Sequence, residues 1–234
     1  MPTEEHPPCT PEIATPLSDD RLARPIDAGG RRLDDPCMNL LAHALLAGAD
    51  DDVRFGSLVG DFVRGAIDPA LRVGVRAGIA LHRSVDAYTD THPRVVAARA
   101  RFAPPFRRYA GILLDVWFDH LLARDWSRWA PVPLATYSRE VRALLERRAD
   151  EVPPRMRRFV EYLGRNDLPE RYRERAMIAD VFRGLSQRLS RDNPLAHAMP
   201  AIEAQADALE GDFAAFFPDL LAHAGRERAR LGVP

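Results

Sequence analysis

The chain has 234 residues, enough for one domain with a real core, and 46% of them are apolar without any long uncharged apolar run. Lys and Arg number 33 against 34 Asp and Glu, a formal net charge of -1, which gives no general case for nucleic-acid or membrane binding. No transmembrane helix is expected from the same pattern, and the proline-rich, polar start lacks the basic-then-apolar layout of a secretory signal, so a cytoplasmic protein is expected.

Residues 1–37 read as a poorly ordered N-terminal extension, with seven prolines, Gly29-Gly30 and Arg31-Arg32. Both cysteines, Cys9 and Cys37, fall there and fit no metal-ligand or redox spacing. The cohesive pattern begins at Met38, itself a possible alternative start, and is expected to form one helical domain over 38–230.

Helix signals follow in order. Asn39 is placed to cap a helix through Leu46, ending near Gly48, and a second helix runs from Asp52 towards Gly65. Asp68-Pro69, an N-cap and first-turn pair, predicts the start of a long helix through His82 and Val85 to about Tyr88. Thr91-His92-Pro93 marks a break and restart, and Pro104-Pro105 another. The most apolar helix is expected from about Phe106 to Trp126, followed by helices near 134–151, 154–165 and 169–189 and from Pro200 to Phe217. No β alternation is present. The fold class is therefore all-α: a single irregular domain of eight or nine helices and no regular four-helix bundle.

The chemistry sits on two of these segments. His82 and Asp86 are four apart on one helix and either form a surface pair or reach one ion; imidazole with carboxylate suits borderline divalent metals such as Mn, Fe or Zn. Asp115 and Asp119, also four apart, lie inside the greasy run Leu113-Leu114-Asp115-Val116-Trp117-Phe118-Asp119-His120-Leu121-Leu122. Buried carboxylates need partners, so they hold a cation, cap a neighbouring helix, or pair with a buried arginine such as Arg83. His120 is a ligand, a general acid or base, or a core histidine bonded to a backbone carbonyl; His43, among leucines, has the same alternatives. Asp61 and Arg64 face one side of their helix, and Arg64 and Arg83 offer planar donors for phosphate oxygens. With no nucleophilic serine or cysteine arrangement and no phosphate-binding glycine loop, metal-activated water attacking a phosphoester is the chemistry these residues support best.

Four segments, read together, carry a resemblance: Met38-Asn39-Leu40-Leu41-Ala42-His43, the run GSLVGDFVRG from Gly56 to Gly65, HRSVDAYTD from His82 to Asp90, and LDVWFDHLLARDW from Leu114 to Trp126. In order and spacing they resemble the bacterial acyl carrier protein phosphodiesterases over 38 to about 220. The resemblance implies a divergent HD-type phosphohydrolase fold and a divalent metal, typically Mn2+. It implies hydrolysis of the phosphodiester joining 4'-phosphopantetheine to a serine of holo acyl carrier protein, within fatty acid and lipid metabolism. Carried onto this chain, it implies His43, Asp61, His82, Asp86, Asp115 and His120 as the metal set, with Asp61, Asp86, Asp115, Asp119 and His120 catalytic and Arg64 and Arg83 on phosphate. One departure stands out: Ser57 follows Gly56 where the family usually has asparagine. An acidic carrier partner calls for a basic rim, for which Arg155, Arg157 and Arg158 are candidates beside Arg171, Arg173 and Arg175. Two other readings remain open from the residues: a phosphohydrolase of small nucleotides or other phosphoesters, and a non-enzymatic helical interaction protein.

Overall fold

The computed structural model describes residues 39–189 and 191–234. The expectations for the 1–37 extension, Met38, Cys9 and Cys37 lie outside the described residues. Within them the protein is all-α, with no strand, in an irregular multi-helix arrangement consistent with an HD-like phosphohydrolase. Ten α-helices appear: α1 (Leu40–Leu46), α2 (Asp51–Val59), α3 (Val73–Thr91), α4 (Pro93–Ala100), α5 (Ala110–Arg124), α6 (Leu134–Arg147), α7 (Arg157–Arg165), α8 (Arg175–Arg188), α9 (Met199–Glu203) and α10 (Ala206–Arg230).

Helix α2 lies against α3 because glycine faces helix backbone on both sides of the crossing. A Cβ on Gly56 would come to 2.2 Å from the Val75 carbonyl oxygen, and one on Gly78 to 2.1 Å from the Val53 carbonyl oxygen. No side chain fits at such distances, so the two axes approach as closely as backbone allows. Asp50 caps α2, accepting from the Asp52 and Val53 amides at 2.9 and 3.0 Å.

Asp68-Pro69 does not open α3. Asp68 instead accepts from the Ala70 amide at 2.8 Å to close a local turn, Arg72 is extended at φ -52 and ψ 146, and the helix begins at Val73. Helix α3 then runs unbroken to Thr91, and His92, whose ring nitrogen accepts from the Arg94 amide at 3.3 Å, starts α4 at Pro93.

Helix α5 is the central element, with eleven of its fifteen residues buried. The C-terminal helix differs from the expected end at Phe217: α10 continues through Pro218 to Arg230, with Leu220 and Ala224 buried beyond the proline. Burial there outweighs the missing proline N–H, a cost of about 3 kcal/mol in an exposed helix interior. No helix among the described residues is long and apolar enough to cross a membrane.

Candidate metal centre

Four side chains meet at the open end of the α2–α3 crossing. His43 comes from α1, Asp61 from the short 3-10 turn Gly60–Phe62 after α2, and His82 and Asp86 from successive turns of α3. The Nε2 atom of His82 is 3.0 Å from Asp61 Oδ1 and 3.3 Å from Asp86 Oδ2. The Nε2 atom of His43 is 3.2 Å from Asp86 Oδ1, and the two imidazoles stack with centroids 3.9 Å apart. One ligand atom each from His43, His82 and Asp86 lies within 4.8 Å of the others.

Backbone sets the orientation of His82. Its Nδ1–H donates to the Ser57 carbonyl at 2.8 Å, so Nε2 is the nitrogen that faces the carboxylates. Gly60 makes room for the ring: a Cβ there would meet His82 Cγ at 2.4 Å. Ser57 donates its hydroxyl to the His43 carbonyl at 3.1 Å and so ties α2 to the helix carrying the first histidine.

The electrostatics separate the two imidazoles. Burial and the neighbouring His82 hold His43 below its ordinary value despite Asp86. Burial would do the same to His82, but hydrogen bonds and attraction from Asp61 and Asp86 overcome it and push it up to about 10. Burial opposes ionisation of Asp86, yet His43 and His82 hold it well below the carboxylate range. One imidazolium against two carboxylates leaves the cluster one charge negative. His43 is fully buried, and neither of its ring nitrogens makes a well-directed hydrogen bond. A fully buried imidazole whose Nε2 lies 3.2 Å from an ionised carboxylate, in a net negative cluster of nitrogen and oxygen ligand atoms, fits a borderline divalent cation.

On α5, Asp119 and His120 bind backbone of neighbouring segments. Asp119, 1% exposed, accepts from the Leu41 amide at 2.8 Å and the Ala42 amide at 3.0 Å, so it caps α1 from 78 residues away. Asn39, the local cap expected from the sequence, makes no side-chain capping bond. Burial, with Asp115 adding repulsion, pushes the Asp119 carboxyl up, and the two amides only partly oppose this. Asp115 is half-buried one turn earlier. His120 donates Nδ1–H to the Tyr172 carbonyl at 2.8 Å, and burial lowers its pKa. No cluster of three His, Cys, Asp or Glu ligands among the described residues includes Asp115, Asp119 or His120.

Around the cluster, Arg83 donates to the Val63 carbonyl at 2.9 Å and pins the segment after Asp61, while Arg64 is exposed on that segment. Asp90, one turn beyond Asp86, is in an ion pair with Arg99 at 2.6 Å. Of the candidate rim arginines, Arg171, Arg173 and Arg175 lie 2.9, 3.5 and 3.8 Å from Glu174, Glu170 and Glu203. Arg155, Arg157 and Arg158 are exposed at the start of α7. The Asp119 cap was one of the alternatives open in the sequence; the Ser57 carbonyl was not foreseen, because its partner His82 lies 25 residues away.

Comparison with known proteins agrees with the segments that build this centre. The family model described as acyl carrier protein phosphodiesterase matches residues 38–220. The chain is 37% identical to an acyl carrier protein phosphodiesterase of Enterobacter sp. (strain 638) over 188 residues, covering 80% of this chain and 97% of the relative. It is 35% identical to one from Photorhabdus laumondii over 185 residues, 79% of this chain and 93% of the relative. It is 37% identical to one from Escherichia coli (strain K12 / DH10B) over 191 residues, 81% of this chain and 99% of the relative. No solved structure matches the chain. Helices, cluster and matched span coincide, and the chain belongs to the acyl carrier protein phosphodiesterase family.

Proposed function

We propose that the protein hydrolyses the phosphodiester between 4'-phosphopantetheine and a serine of holo acyl carrier protein, releasing apo carrier, with a divalent cation, Mn2+ by preference. The observation that carries this reading is the convergence of His43 Nε2, His82 Nε2 and the Asp86 carboxylate inside the family-matched span.

His43, His82 and Asp86 would hold the cation, with Asp61 beside them. When bound, it supplies Lewis acidity to a phosphoryl oxygen and a lowered pKa to water. The chain's own residues do the rest. The Ser57 carbonyl keeps the His82 Nδ1 proton in place, so Nε2, which would give up its own proton on metal binding, is the ligating atom. Asp61, 26% exposed and 3.0 Å from His82 Nε2, is the carboxylate positioned to take a proton from an attacking water. Arg83, and Arg64 on the segment that Arg83 pins after Asp61, would be planar donors for nonbridging phosphate oxygens. Asp119 is a positioning residue: it holds the N-terminus of α1 and through it His43. His120 supports α5 against the Tyr172 segment, and Asp115 stands with Asp119 on the same helix face.

Arg155, Arg157 and Arg158 are the basic patch best suited to an acidic carrier. Arg157 and Arg158 enter no ion pair among the described residues, whereas Arg171, Arg173 and Arg175 each face a glutamate.

Mass spectrometry of holo carrier protein incubated with the enzyme, with and without Mn2+, tests the proposal. The expected result is metal-dependent loss of the whole phosphopantetheine group from the carrier. An unchanged carrier alongside turnover of small phosphodiesters would overturn it in favour of a small-phosphoester hydrolase, and no turnover of either, with no metal bound, in favour of an interaction protein.

A further inference from the structure

At the opposite end of α2 from Asp61 lies a cavity of about 630 Å³ between α2 and α6. We propose that it is a second ligand site, which takes the phosphate or carboxylate group of a small molecule independently of the His–Asp cluster.

Two buried polar side chains line it with atoms left unpaired. Tyr137 is 6% exposed; its hydroxyl oxygen faces the Arg54 guanidinium, and its O–H has no acceptor. Arg54 is 8% exposed and its Nε–H makes no well-directed hydrogen bond. The guanidinium lies over the tyrosine ring, 5.3 Å from its centroid. Its other ends are anchored: Nη2 donates to the Gly48 carbonyl at 2.7 Å, and Nη1 is 3.7 Å from Asp51. Leaving a buried donor unsatisfied costs about 1–3 kcal/mol, and two in one wall are two reasons for an acceptor to enter. Burial pushes Tyr137 up to about 12, against the charge of and hydrogen bond from Arg54, so its hydroxyl keeps its proton and can donate.

The rim selects the sign of the ligand. Arg139 donates to the Thr136 hydroxyl at 3.2 Å and enters no ion pair among the described residues. Arg147 pairs with Asp51 at 3.0 Å, and Glu140 is the other acid lining the cavity. Three guanidiniums against two carboxylates leave one positive charge, with the unpaired cation at the mouth and the unpaired donors within. An oxygen acceptor bearing negative charge satisfies all three; a cation or an apolar ligand satisfies none.

The test uses the whole chain, stripped of metal and dialysed free of chelator, titrated with inorganic phosphate and separately with citrate. Binding is read at the side-chain Nε–H resonances of arginine by NMR. The expected result is a saturable shift of the Arg54 Nε–H with one or both anions, weakened about 5-fold or more in Tyr137→Phe and in Arg139→Gln, in line with loss of one hydrogen bond to a charged group. Phosphate alone or citrate alone identifies the head group. Arg139 is exposed, so Arg139→Gln leaves the fold intact even if Tyr137→Phe does not. No saturable shift, or wild-type affinity in Arg139→Gln and in any folded Tyr137→Phe, would overturn the proposal.

Discussion

The imidazole of His82 gives its Nδ1 proton to the Ser57 carbonyl at 2.8 Å, and this single bond decides which nitrogen meets Asp61 and Asp86. The partner is backbone, so side-chain changes at Ser57 leave it in place. What removes it is anything that moves the ring. Gly60→Ala places a methyl 2.4 Å from His82 Cγ, within the ring itself. The substitution should weaken Mn2+ binding on the order of 10–100-fold, as loss of an orienting contact does, with the helical content kept. Calorimetric titration beside circular dichroism measures both; unchanged affinity would mean that the ring does not need its present position.

Asp119 should behave as a cap. Asp119→Ala removes the acceptor of two buried amides and is expected to cost about 2–4 kcal/mol. Asp119→Asn keeps one acceptor oxygen and, being neutral, suits a site where burial disfavours charge. It should cost less than the alanine variant. Urea midpoints rank the three proteins, and an asparagine variant less stable than the alanine one would contradict the capping role.

His120 predicts acid sensitivity. Burial lowers its pKa in the folded protein below the ordinary 6.5, so the unfolded chain binds its proton first as pH falls. Its contribution to stability is therefore full above 6.5 and is lost as pH drops through and below that value. His120→Asn, which can still donate to the Tyr172 carbonyl, should flatten this part of the profile. Denaturation midpoints between neutral pH and about pH 4.5 for both proteins provide the check, with parallel profiles as the contrary outcome.

The α2–α3 crossing should tolerate no side chain. Gly78→Ala sets a methyl 2.1 Å from the Val53 carbonyl oxygen and 2.8 Å from the Ser57 amide nitrogen. Overpacking against backbone typically costs about 1–3 kcal/mol and here is expected at the upper end. Because Ser57 orients His82, Mn2+ affinity should fall together with thermal stability. Loss of one without the other would uncouple the crossing from the site.

Much of this was legible in the chain. The i,i+4 spacing of His82 and Asp86 placed both on one helical face. The Asp68-Pro69 signal misled because a cap-and-proline pair closes a turn as readily as it opens a helix, and Arg72 then takes an extended conformation. Two carboxylates in a greasy helix carry the same signature whether they face a cation or a neighbouring helix terminus. Only the fold reveals that Asp119 faces the Leu41 and Ala42 amides. The end of α10 was hidden by Pro218, whose local cost is outweighed by burial further along.

The most direct test is a Mn2+ titration of metal-free protein, wild type against Asp86→Asn. Asp86 lies within reach of both His43 and His82, so the asparagine should leave the helices intact and cut affinity by on the order of 100-fold or more. A folded Asp86→Asn protein that binds Mn2+ as tightly as wild type would contradict the assignment of the metal centre.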